Sequence, residues 1–415
     1  MPFLTDPIVE IAKWLRALLE GAGLAAGLVD FIMAALGAAI VSAFGLGLVI
    51  FLIWFERKIG ARFQGRLGPN RVGPFGLFQT FADVIKIFTK EHITPKGVDK
   101  LVYNLAPIAA VSAVLLLWAV VPYSATVVGT DLNVGVLYLI AVGAIGTLAI
   151  IMAGWSSNNK FALLGAFRTV AQMISYEVPM VLALLVPVLL SRTMSVSGIV
   201  DYQAYWFLFY APLAALIFLI STIAEVGRAP FDLLEAESEL VAGYQTEYSG
   251  LKFGMFFVGE FLHAFTTAAL VATLFLGGWR GIGAETYPIL GLFWFFAKTF
   301  VVYFVTLWIR FSLPRVRIDH LLELNWKLLT PLALLLLVFT AILDKILTNA
   351  QVLESWRMLA HLAMNLVLVW VTVELLKRQG ASRPRRMPVA QPRPHAAPPP
   401  VPTQPAAESQ AATEA

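Results

Sequence analysis

The stretch FIMAALGAAIVSAFGLGLVIFLIWFERK, Phe31 to Lys58, decides how the rest of the chain is read. No charge interrupts Phe31 to Phe55, and Glu56, Arg57 and Lys58 then close the run abruptly. A helix needs about 20 apolar residues to cross a hydrocarbon core of roughly 30 Å, so this segment is a membrane span. The composition agrees. Of 415 residues, 59% are hydrophobic and only 13% charged, against about 25% charged in an average soluble domain.

The same criterion predicts nine spans: Phe31 to Phe55, Leu101 to Val121, Val136 to Gly154, Leu163 to Leu190, Ala204 to Glu225, Phe253 to Gly277, Ile289 to Ile309, Leu328 to Ile346 and Val352 to Leu376. The fold class expected is an all-α polytopic membrane protein of about nine transmembrane helices plus interfacial amphipathic helices. Lysine and arginine crowd into Glu56 to Lys100, into Arg310 to Lys327 and after Leu376, whereas the alternate loops hold only Arg192 and Arg280. By the positive-inside rule the N-terminus is outside and the C-terminus cytoplasmic. The opening MPFLTDPIVEIAKW lacks a basic n-region, so no cleaved secretory signal is expected. The net charge of +4 sits beside the spans and reads as topology, not as an affinity for nucleic acid.

Two segments have the periodicity of helices lying on a membrane surface. Ile8, Ile11, Ala12, Leu15, Leu18 and Leu19 form one apolar face; Phe78, Phe81, Ala82, Ile85 and Phe88 form another, after the turn-rich GRLGPNRVGP. Beyond Gly380 the chain is rich in Pro and Ala and cannot build a core. The expected organisation is an outer-surface helix (1–27), a membrane core (28–350), an additional span (351–378) and a disordered cytoplasmic tail (379–415). No convincing internal repeat of the inverted-transporter kind is found.

Chemistry is signalled by charges where charges are expensive. A charged side chain at mid-bilayer costs at least about 2.5 to 3.5 kcal/mol on insertion scales, yet Glu177, Glu225, Glu260, His263 and Lys298 all fall in or at the ends of predicted spans. Glu260 and His263 are three apart and share a helix face with Thr267. The loop after the fifth span, RAPFDLLEAESELVAGYQTEYSG from Arg228 to Gly250, breaks the positive-inside pattern with Asp232, Glu235, Glu237, Glu239 and Glu247. Glu235 and Glu239 are spaced for one face of a helix beginning after Pro230, where like charges and burial favour proton uptake. A solvated acidic face is the plainer reading. The absence of cysteine excludes disulfides and thiolate-bound zinc or iron-sulfur centres, and the five histidines are too scattered for a metal cluster.

Four stretches resemble, in family order, the H-subunit family of bacterial NADH:quinone oxidoreductase (respiratory complex I), whose mitochondrial counterpart is NADH dehydrogenase subunit 1. They are ERKIGARFQGRLGPNRVGPFGLFQTFADVIKIFTKE, GWSSNNKFALLGAFRTVAQMISYEV, AEVGRAPFDLLEAESELVAGYQTEYSG and LPRVRIDHLLELNWK. The resemblance implies a bacterial inner-membrane subunit that joins the membrane arm to the peripheral arm, with quinone-entrance loops at 56–100, 226–252 and 310–327. It places Glu56, Arg57, Asp83, Arg310, Arg315 and Asp319 around the quinone tunnel. It places Glu177, Glu225, Glu235, Glu237, Glu239, Glu247 and Glu260 on the acidic path that begins proton coupling. Quinone is then a substrate. FMN and iron-sulfur clusters would reside in partner subunits, and the partners would be peripheral-arm quinone-site and iron-sulfur subunits, small membrane-arm subunits and lipid. Nothing carries over to the final span or the tail. Two rivals stand beside this reading: the homologous membrane component of an energy-converting hydrogenase or related complex, and a stand-alone transporter using Glu260, His263 and Lys298 as its substrate site.

Overall fold

The computed structural model describes residues 6–233 and 241–382. Among the described residues all regular secondary structure is helical, with an isolated bridge between Pro122 and Val128 and no β-strand. Among the described residues eight helices are long and apolar enough to cross a membrane. The helices are α1 (Pro7–Gly21), α2 (Ala26–Phe63), α3 (Gln79–Thr89), α4 (Lys100–Leu117), α5 (Gly135–Ser156), α6 (Lys160–Ser191), α7 (Val196–Tyr202), α8 (Phe207–Tyr210), α9 (Pro212–Val226), α10 (Gly250–Phe275), α11 (Pro288–Ser312), α12 (Ile318–Leu324), α13 (Thr330–Asn349) and α14 (Glu354–Ser382).

Helix α10 is the hub. It packs against α2, α4, α9 and α11 and is buried without interruption from Ala264 to Phe275. Tyr103 of α4, Met173 of α6 and Tyr244, Tyr248 and Phe256 form an adjoining core, with Tyr103 and Tyr248 stacked at 4.2 Å between ring centroids. Large apolar side chains such as Phe31, Leu101, Leu137 and Phe293 point outward, as a hydrocarbon solvent requires. The two amphipathic segments form helices, and both leave Ile and aromatic side chains exposed on one face. Asp6 caps α1, accepting from the Val9 N–H at 3.3 Å.

The structure departs from the predicted spans in three places. First, α2 does not stop at Glu56, Arg57 and Lys58 but runs on to Phe63. All three are good helix formers, and the end of an apolar run marks a change of surroundings rather than a helix end. Second, the fifth span is not one helix. It breaks at Ala211 into α8 and the 15-residue α9, which at 1.5 Å per residue covers only about 22 Å. Pro212 lacks an N–H and disfavours helical geometry in the residue before it, and Ala211 adopts φ −139°. Third, the eighth span begins at Ile318 instead of Leu328, with a π-helical turn at Asn325–Leu329. The Asn325 side chain leaves the helix there to donate to the Ser175 carbonyl of α6.

The segment after Pro230 is not helical over Phe231–Leu233. The expected acidic helix, with Glu235, Glu237 and Glu239, lies outside the described residues. Helix α14 extends to Ser382, four residues into the predicted tail, and the rest of the tail lies outside the described residues. The chain divides into two compact units, 1–367 and 368–415. The described part of the second is the end of α14, with local Thr372–Leu368 and Arg378–Glu374 hydrogen bonds.

Candidate functional site

Glu56 is 7% exposed, on the turn of α2 where the apolar run ends. A buried carboxylate must be paired, and three groups converge on it. Arg228 Nη1 donates to Oε2 at 2.8 Å, Tyr303 OH donates to the same oxygen at 3.2 Å, and Arg310 donates to Oε1. Arg228, also 7% exposed, continues the chain of charges. Its Nε donates to Glu260 Oε1 at 3.3 Å, and its guanidinium lies 4.6 Å from the ring centroid of Phe261. Burial works against the Arg228 charge, but Glu56, Tyr303 and Glu260 offset it and hold its pKa above the ordinary arginine range. Two carboxylates and two guanidiniums from α2, α10, α11 and the 227–233 turn thus form one electrically balanced junction.

The turn is built for this. Gly227 ends α9 in the left-handed region at φ 72°, where a side chain would be strained. The chain reverses there to bring Arg228 inward. Gln172 of α6, fully buried, secures the turn by donating to the carbonyls of Ala224 at 2.6 Å and Phe231 at 2.8 Å.

Behind Glu260 lies a cavity of about 70 Å³ between α4, α5, α9 and α10, lined by Glu225, Glu260 and His263 among apolar residues. A water needs roughly 10–15 Å³ of such space and two or more polar partners, so the cavity can hold several. His263 Nε2 stands 3.8 Å from Glu225 Oε1, and Glu225 in turn feels the like charge of Glu177. Carboxyl and imidazole groups spaced around a cavity with room for water have the geometry to pass protons through it.

The remaining sequence-predicted residues fall into separate places. Arg57, the outward-facing neighbour of Glu56, pairs with Asp83 of α3 at 2.5 Å and ties the amphipathic helix to the span. Arg315 precedes Val316, whose N–H donates to the Pro230 carbonyl at 2.9 Å. Asp319 is exposed and pairs with Arg317 at 3.6 Å. Glu247 accepts from Asn159 Nδ2 at 2.6 Å, while its carbonyl accepts from Tyr103 OH. Lys298 belongs elsewhere. Its ammonium donates to the carbonyls of Leu276, Gly278 and Arg280 at 2.6 to 3.0 Å, which uses all three protons to close the end of α10. That arrangement removes Lys298 from the substrate site required by the transporter alternative.

Sequence reasoning missed Arg228, Tyr303 and Gln172 as members of the site. For Arg228 a signal existed: it is the one basic residue in a strongly acidic loop. For Tyr303 and Gln172, polar side chains inside apolar helices, the sequence carried no comparable mark.

Comparison with known proteins gives a consistent result. The family model described as NADH dehydrogenase matches residues 36–341. The chain is 49% identical over 294 residues to the H subunit of the NADH-quinone oxidoreductase of Dehalococcoides mccartyi strain CBDB1, covering 71% of this chain and 82% of that protein. It is 46% identical over 320 residues to the corresponding subunit of Bacteroides thetaiotaomicron (74% and 89% covered). It is 45% identical over 327 residues to that of Carboxydothermus hydrogenoformans (79% and 93% covered).

Proposed function

Because the chain belongs to the NADH dehydrogenase family, among the H subunits of NADH-quinone oxidoreductases, we propose that it forms the quinone-access tunnel of such an enzyme and the start of its proton-coupling path. It is a multi-pass membrane subunit of an NADH-quinone oxidoreductase. In our reading it lies in the bacterial inner membrane, N-terminus outside and C-terminus cytoplasmic. The three quinone-entrance loops, 56–100, 226–252 and 310–327, meet the peripheral arm, whose subunits supply FMN and iron-sulfur clusters. Small membrane-arm subunits pack alongside. Glu56, Arg57, Asp83, Arg310, Arg315 and Asp319 serve the tunnel. Glu177, Glu225, Glu247 and Glu260 serve coupling, together with Glu235, Glu237 and Glu239.

One observation carries this reading: Arg228 bonds both Glu56, from the tunnel set, and Glu260, from the proton set. Quinone reduction brings negative charge and consumes protons. Negative charge arriving on the Glu56 side draws the Arg228 guanidinium toward it, and Glu260 then loses part of its counter-charge and takes up a proton. Through water in the cavity that proton can be exchanged with His263 and Glu225. The protein supplies one cation shared between two sites, so an electrostatic change at one is felt at the other within a few ångströms.

The test is substitution of Glu260→Gln and Glu225→Gln in the intact complex, with assembly checked on a native gel. Expected is preserved assembly with NADH-driven quinone reduction and proton translocation both reduced, by roughly a hundredfold or more for Glu260→Gln, as for loss of a proton-transfer group. Normal turnover and pumping in both variants would sink the assignment.

A further inference from the structure

The last helix lies beyond the matched segment 36–341 and carries none of the residues assigned to the tunnel or to coupling. Its buried face holds one polar group of unusual placement. Asn365 is 1% exposed, inside the apolar run LAMNLVLVW. Its Oδ1 accepts from the Leu213 N–H at 3.3 Å, and its Nδ2 donates to the Tyr210 carbonyl at 3.2 Å and to the His361 carbonyl at 2.8 Å. Tyr210 and Leu213 flank the break in the fifth span. In a continuous helix the Leu213 N–H would bond Phe209 and the Tyr210 carbonyl would accept from Ala214. The break opens both groups, and hydrocarbon offers them no water.

We propose that Asn365 is a positioning residue for Glu225: by completing the backbone of the broken span at Tyr210 and Leu213 it fixes α9, whose far end presents Glu225 to His263. The inference rests on the reading of Glu225 as a proton-coupling group. A 15-residue helix is a stiff rod, so a slip or tilt at Leu213 is carried to Glu225, where the spacing to His263 is 3.8 Å. A second tie holds α14 in register for this task. Asp344 of α13, 5% exposed, pairs with Arg357 of α14 at 2.6 Å and with Arg192 at 3.5 Å, and His361 stands 3.8 Å from it. Arg192, at the end of α6, also donates to Thr348 at 3.1 Å. The additional helix is thus bolted by charge to α13, which Arg192 ties in turn to the end of α6, and to α9 by Asn365.

The experiment uses the whole enzyme carrying Asn365→Leu, purified and reconstituted in proteoliposomes, beside Leu366→Ala, a neighbour that is 58% exposed on the same helix. Two quantities are read: amide hydrogen exchange in peptides spanning residues 207–226, and protons translocated per NADH oxidised. Asn365→Leu is expected to raise exchange at 207–226 by roughly tenfold or more and to lower protons per NADH, while Leu366→Ala changes neither. Asn365→Gln, which keeps the amide on a longer stem, is expected to retain more coupling than Asn365→Leu. If Asn365→Leu does not assemble, Asn365→Ser is read in its place, since its hydroxyl can satisfy one of the two groups, and an effect of the same sign is expected. Wild-type exchange, or raised exchange with unchanged protons per NADH, overturns the proposal. Glu225→Gln is measured in parallel. Normal coupling there strikes the assignment of Glu225 itself, whereas impaired coupling there with a silent Asn365 variant refutes the positioning role alone.

Discussion

At Arg228 a single guanidinium serves two carboxylates, Oε2 of Glu56 through Nη1 and Oε1 of Glu260 through Nε. The planar fork makes this possible, and an ammonium, a point charge on a flexible stem, does not reproduce it. Arg228→Ala leaves Glu56 and Glu260 short of a cation in a buried site, which typically costs about 3–5 kcal/mol. The expected result is a lower thermal midpoint of the purified complex and loss of quinone reductase activity. Arg228→Lys is expected to recover much of the stability but little of the activity; equal recovery of both would separate the junction from turnover. For Arg57 and Asp83 the pair is partly exposed, and surface ion pairs contribute only about 0–1 kcal/mol. Arg57→Ala should therefore leave thermal stability almost unchanged while raising the apparent KM for quinone, as measured with a short-chain quinone series. An unchanged KM and kcat would remove Arg57 from the tunnel.

Helix α10 carries Glu260 and His263, the groups proposed for proton exchange, and ends in a turn held by Lys298 of α11, a purely structural charge. The Lys298 ammonium replaces the missing partners of three carbonyls at and after the end of α10. Lys298→Met keeps the stem but orphans those carbonyls, each lost bond costing about 1–3 kcal/mol where water is excluded. Expected is a destabilised complex with raised hydrogen exchange in residues 276–284, against unaltered exchange in α3. Charge in a predicted span is a good functional signal on average, and Lys298 illustrates where it misleads: the same rarity arises when a cation closes a helix end. The broken fifth span carries the opposite lesson. Ala204 to Glu225 reads as one apolar run, and only Pro212 hinted at a discontinuity.

Across the whole chain, the distribution of basic loops predicts an orientation that single-cysteine labelling can check cleanly, since the sequence has no cysteine of its own. Cysteines placed at Ile282 and Leu67, both strongly exposed, should react with a membrane-impermeant reagent from opposite sides, Ile282 from outside. Reaction of both from the same side would overturn the assignment of the loops. By itself the sequence determined that the protein is helical and membrane-spanning, because a bilayer admits only segments that satisfy their own backbone hydrogen bonds, and length and hydropathy report those directly. It also named most of the carboxylates, since an unneeded charge in hydrocarbon is costly enough to be conspicuous. Only the tertiary structure decided which of them meet. That Glu56 and Glu260 share Arg228, that Glu225 faces His263, that Asp319 stands apart and that Lys298 closes a helix depend on where helices cross. Crossing is set by the packing of near-uniform apolar surfaces, whose periodicity is weak in lipid because inward and outward faces are both apolar.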